Sequence, residues 1–141
     1  NLYLQDRAAG RTPRWRGVTL LHEMAARGIR VAVASDNCRD PFYAYGDHDM
    51  HEVWRMATRI AHLDHPIGEW PRAVTATPAA IMGTAEPATL APGRTADLVI
   101  LEGRAYSETL SRPECRRIVL RAGRPIDTTP PAYDELDHLL T

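Results

Sequence analysis

The chain has 141 residues, 44% of them apolar and 25% charged, and carries a net charge of −1. That balance is globular, with no basic footprint for nucleic acid, no acidic tail and no apolar run near the roughly 20 residues a membrane span needs. Two cysteines, Cys38 and Cys115, are too few for a disulfide framework and point to a reducing, cytoplasmic setting. All 17 basic residues are Arg; beside the abundant Ala and Pro, GC-rich coding explains this more simply than Arg-specific chemistry.

Asn1, Leu2, Tyr3 and Leu4 read as the end of a strand with no polar lead-in, no initiator Met and no leader-like apolar region. A chain that opens in mid-strand is expected to be part of something longer. Gly10, Thr12 and Pro13 then form a turn. Over 18–27, Leu20, Leu21, Met24 and Ala25 fall at helical spacing, with Gly28 as the stop. Residues 29–34 are rich in β-branched side chains and hardly alternate, which predicts a strand buried on both faces. A helix followed by such a strand is the unit of a parallel α/β sheet.

The loop 35–46 is dense in Asp, Pro, Gly and aromatic residues. Asp47 or Asp49 then caps a second helix whose apolar face is Met50, Val53, Trp54, Ala57, Ile60 and Ala61. Pro66, Gly68 and Pro71 end it. A third helical stretch follows over 71–82, with a new first turn expected at Thr77-Pro78. Short strands over 96–101 and 117–121, with a turn at 122–125, make a small β segment. The expected division is 1–84 for the α/β part, 85–128 for the β segment, and 129–141 for a tail with a short helix near 133–140.

Asp36 sits just past the predicted strand 29–34. Functional groups of parallel α/β sheets and barrels gather at the C-terminal ends of strands, and a carboxylate there can hold a metal or take a proton from metal-bound water. The plain alternative is an Asp that caps a turn.

The run Arg16-Gly17-Val18-Thr19, Glu23-Met24, Gly28-Ile29, Ser35-Asp36, Asp40-Pro41-Phe42-Tyr43 and Gly46 resembles the bacterial cytosine deaminases of the metal-dependent amidohydrolase superfamily. The segment from Val74 through Thr77-Pro78 to Gly83 is similar to that superfamily's post-barrel helix. The segment from Leu90 through Pro92-Gly93 to Leu101 is similar to its return into a β-sandwich. The resemblance implies an α/β fold: the C-terminal strands and helices of a (β/α)8 barrel plus the returning strands of a small β-sandwich. It also implies one divalent metal, iron or zinc, in the full-length parent, with Asp36 as metal ligand and catalytic proton acceptor and the remaining ligands upstream. This chain alone is expected to bind none.

The implied reaction is hydrolytic loss of ammonia from cytosine or a related cyclic amidine. Asn37 and Phe42 are the implied substrate contacts. Asn37 stands where these deaminases place a second Asp, and Phe42 where they often have Trp, so the identity of the substrate is left open among cytosine, isoguanine, creatinine or another cyclic amidine. The implied partner is a nucleobase-like small molecule, with neither nucleic acid nor membrane, in a homo-oligomer. The competing reading is a non-catalytic truncated chain or an oligomer scaffold.

Other candidates carry blander readings. His48 and His51, and His62 and His65, lie at i, i+3 without a zincin Glu; the second pair suits a helix C-terminus, where imidazolium meets the dipole. Cys38 borders the Asp36 loop without a paired base, Cys115 reads as a core or edge position, and Trp54 as core. Asp40 is placed to hold its loop by accepting from backbone amides.

Overall fold

A computed structural model describes residues 10, 17–84, 89–135 and 137–139. The expected opening strand near Leu2 lies outside the described residues. The chain divides into two compact units, Asn1–Thr89 and Leu90–Thr141.

In the first unit, α1 covers Leu21–Ala26 and stops at Gly28, whose φ of +74° only glycine adopts freely. The longest helix, α2, covers Met50–Ala61 and is capped by Asp49, whose carboxylate accepts from the His51 N–H at 2.9 Å. The third stretch splits in two: a 3-10 turn over Trp70–Val74 and then α3 over Ala76–Ile81. The break falls at Thr75, with φ −130° and ψ −91°, earlier than the expected Thr77-Pro78 junction. Pro78 is tolerated inside α3 because it lies in the first turn, where backbone N–H groups have no intrahelical acceptor.

The core of this unit is small. Leu63 is 0% exposed, and Leu21, Trp54 and Ala73 are also buried. The buried face of α2 is His51, Trp54, Arg55 and Thr58, which is rotated from the expected apolar face. Of that face only Trp54 is fully inside, and Ile60 is 54% exposed. Val53, Met56, Ala57 and Ile60 instead line a groove of about 330 Å³ with Val33, Ala34, Ser35 and Tyr43.

The expected strand over 29–34 needs correction. These residues are extended, but no neighbouring strand pairs with them among the described residues, and they are half-buried or exposed. Strand geometry is defined by a hydrogen-bonded ladder, and burial on both faces requires elements on both sides. The segment is tied down instead by a bond from the Val33 N–H to the Ala73 carbonyl at 3.0 Å. His22 adds a further tie. Its Nε2 lies 2.7 Å from the Ala61 carbonyl at the end of α2, and its ring meets Trp70 edge-on at 4.8 Å.

The second unit is a three-stranded antiparallel sheet in the order β1 (Leu98–Leu101), β2 (Arg117–Arg121), β3 (Arg124–Pro125). Val99 pairs with Val119 and Ile100 with Ile118. Asp97 closes the turn after β2: it accepts from the Ala122 N–H at 2.8 Å and meets Arg121 at 3.0 Å. Between β1 and β2 lies α4 (Tyr106–Ser111), which periodicity does not reveal. It is held by Glu108, which accepts from the Arg104 N–H at 2.9 Å and pairs with its guanidinium at 2.6 Å. Glu108 thus reaches back to Arg104, the residue before the N-cap, while Ala105 at the N-cap offers no side-chain cap of its own. Cys115 is buried, with its thiol 3.2 Å from the Glu102 carbonyl. Among the described residues of the tail, Asp137–Leu139 forms a single 3-10 turn.

Candidate active-site loop

The loop that follows the extended segment 29–34 holds every site residue expected from the sequence. Asp36 stands at its head with φ +63°, in the left-handed region that Asp and Asn tolerate better than most side chains. Its side chain is exposed and has no hydrogen-bond or ion-pair partner among the described residues.

Asp40 organises the rest. One carboxylate oxygen accepts from the backbone N–H groups of Phe42 and Tyr43, at 2.8 and 2.9 Å. The other accepts from the Asn37 side-chain amide at 2.8 Å. The Asp40 carboxyl is held below its ordinary value of 3.8, first by the Tyr43 N–H, against a partial desolvation that pushes the other way. Hydrogen bonds to the charged form have that effect. Further bonds run from the Arg39 N–H to the Tyr45 carbonyl at 3.2 Å and from the Asp40 N–H to the Tyr43 carbonyl at 3.0 Å. Tyr43 and Tyr45 meet edge-on at 5.7 Å. The loop is therefore closed on itself around Asp40.

This arrangement joins Asn37 and Phe42 through one carboxylate and leaves Asp36 beside them, unengaged. Phe42 is 52% exposed, with a ring face available for stacking. Asp36, Asn37 and Phe42 do not line the 330 Å³ groove, although Ser35, Tyr43 and Gly46 from the same loop do. Cys38 is half-buried in the loop.

The histidine pairs do not converge. His51 is buried against Trp54, ring centroids 6.4 Å apart. His62 is the left-handed cap of α2, with φ 54°, and donates its backbone N–H to Thr58. His65 lies 3.0 Å from Asp64 and depresses that carboxyl. Among the described residues, no three His, Cys, Asp or Glu side chains come together as a metal site. The donor chemistry of Asp36 suits one ligand of a divalent ion, because a carboxylate oxygen is a hard donor. The described residues fit one ligand position and not a whole site. Sequence reasoning missed His22 as the tie between α1 and α2; a lone exposed His carries no spacing signal.

The amidohydrolase family pattern matches residues 1–127, and the chain belongs to that family. Its fold is α/β, part of the amidohydrolase barrel architecture with a small antiparallel sheet. It is similar to the pterin deaminase of Rhizobium rhizogenes strain K84, 59% identical over 140 residues, which is 99% of this chain and 32% of that protein. It also matches crystal structures of 5-methylcytosine deaminase from Klebsiella pneumoniae. The complex with phosphonocytosine superposes with a TM-score of 0.72 at 28% identity, covering 93% of this chain and 32% of the other. The complex with 5-fluorocytosine gives 0.71 at 28% identity over 92% and 32%. The chain thus spans about a third of the length of these relatives.

Proposed function

We propose that this chain is the C-terminal part of a metal-dependent hydrolytic deaminase that removes an exocyclic amine, as ammonia, from a pterin-type heterocycle. The observation that carries the reading is Asp36, a free carboxylate at the head of a braced loop. The substrate class rests on similarity, 59% identity to a pterin deaminase against 28% to the 5-methylcytosine deaminase. Cytosine or another cyclic amidine is the second reading, favoured by the superposition on the 5-methylcytosine enzyme.

In this proposal, residues 1–84 belong to the barrel, 85–128 to the β-sandwich and 129–141 to a tail. Asp36 would be one ligand of a divalent ion, iron or zinc, which would supply an acidified water as nucleophile. The Asp36 carboxylate would accept the proton of that water. Asn37 bonds the heterocycle and Phe42 stacks on it. The exocyclic amine leaves as ammonia once protonated, and a ring carbonyl takes its place. The partner is a small molecule, the parent is a cytoplasmic homo-oligomer, and nucleic acid and membrane play no part. No helix among the described residues is long and apolar enough to cross a membrane.

The test is a chimera in which this chain replaces the aligned 140 residues of the R. rhizogenes enzyme. Ammonia release from pterin is expected, with Asp36→Asn reducing it by about a thousandfold or more, the scale of losing a proton-transfer group. Asn keeps the left-handed backbone without strain, so a folded but inactive variant is the expected outcome. Turnover of cytosine but not pterin would move the substrate to the second reading. Near-normal turnover by the Asp36→Asn chimera would remove Asp36 from the mechanism.

A further inference from the structure

Resting on that reading of the loop, we propose that Asp40 is a positioning residue. It locks the Asn37 amide in one orientation, so that Asn37 meets the substrate as a hydrogen-bond acceptor and selects heterocycles that present an N–H there. The argument starts from donor and acceptor counts. An ionised carboxylate only accepts, whereas an amide has one accepting and one donating end. The 2.8 Å contact between Asn37 and Asp40 therefore requires the Asn37 nitrogen to face Asp40. Turning the amide over would set two acceptors against each other.

Asp40 cannot rotate to accommodate such a flip. Its second oxygen is held by the Phe42 and Tyr43 N–H groups at 2.8 and 2.9 Å. The Asn37 carbonyl oxygen is left without a partner among the described residues. That oxygen is the accepting capacity the side chain has left for a substrate N–H. A carboxylate at position 37 would also accept, but it would face Asp40 as a like charge. Asn at 37 and Asp at 40 thus form one unit, which provides an acceptor beside Asp36 without adding a second negative charge. The substrate class is a heterocycle with a ring N–H or amine directed at position 37.

The unit makes a reciprocal prediction in the active chimera. Asp40→Asn keeps an acceptor for the Phe42 and Tyr43 amides but turns the Asn37 amide over, so kcat/KM should fall at least tenfold, mainly through KM. Asn37→Asp sets two carboxylates together and should also lose at least tenfold. The double variant Asn37→Asp with Asp40→Asn restores the bond with its polarity reversed and leaves an accepting oxygen at 37. It should recover to within a few-fold of the parent. A double variant no better than the worse single variant, or an Asp40→Asn variant with unchanged KM, would overturn the proposal.

A second readout separates this from failure of the deaminase reading, which would show as an inactive parent chimera. In the 141-residue chain, the Asn37 side-chain amide protons should show slowed exchange and shifted resonances. Both should revert to free-amide values in Asp40→Asn. Free-amide behaviour in the unsubstituted chain would overturn the locked orientation whatever the chimera does.

Discussion

At Asp40 one carboxylate accepts the Phe42 and Tyr43 N–H groups and the Asn37 amide, so these three bonds are strongest while it is charged. Its folded value lies below the ordinary 3.8. A group depressed on folding contributes stability that is present above the unfolded value and is lost as pH falls through the folded one. Exchange protection of the Phe42 and Tyr43 amides should therefore stay constant from neutral pH down to about pH 4 and fall away only at more acid pH. Protection that declined between about pH 7 and 5 would assign the loop's order to a histidine instead. The role of Asp40 as loop holder was legible in the sequence, because Asp before Pro with aromatic residues after it favours such turns. The left-handed backbone at Asp36 and the engaged amide of Asn37 were not, since neither leaves a pattern of residue types.

The same contrast holds for the elements. The existence of α2 and one of its two expected caps, Asp49, followed from the sequence, but its end at Ala61, before the expected Pro66, and the face it buries did not. Its buried side chains are His51, Trp54, Arg55 and Thr58, while Met56 and Ile60 are exposed. Periodicity reports where apolar residues lie, and burial depends on which neighbours are present. Trp54→Ala should cost about 3–5 kcal/mol in thermal or denaturant unfolding of this chain, as for a large buried aromatic. Ile60→Glu should change the stability of the isolated chain by about 0.5 kcal/mol or less, because the side chain is already in water. In the chimera the same substitution should prevent soluble folding if the groove meets further barrel elements. Equal tolerance in both proteins would show that this face stays open.

In the second unit the strands were legible and α4 was hidden, because Ala105 at its N-cap offers no side-chain acceptor. Gly103 lies close under that helix: an added Cβ would come within 2.5 Å of the Thr109 methyl and 3.3 Å of its backbone nitrogen. Thr109 is buried, so Gly103→Ala should destabilise this unit by about 1–3 kcal/mol. A calorimetric shift near zero would mean that α4 is free to move aside.

At the scale of the molecule, the motifs identified the family and the architecture, and the departures at Asn37 and Phe42 marked the substrate as the open question. The buried parallel strand over 29–34 was misread for a physical reason. A buried strand is a property of a complete sheet, and among the described residues no strand lies beside this one. On the proposed function, the extended segment, the exposed apolar stripe of α2 and the unengaged Asp36 carboxylate share one explanation: each is a half of a contact. The most direct test of that account is metal analysis of three purified proteins: this chain alone, the chimera with the R. rhizogenes enzyme, and the chimera carrying Asp36→Asn. The account predicts no stoichiometric divalent ion in the chain alone, one tightly held ion per chimera, and loss of that ion with Asp36→Asn while the circular dichroism is unchanged. An ion held stoichiometrically by the chain alone, or retained by the folded Asp36→Asn chimera, would contradict it.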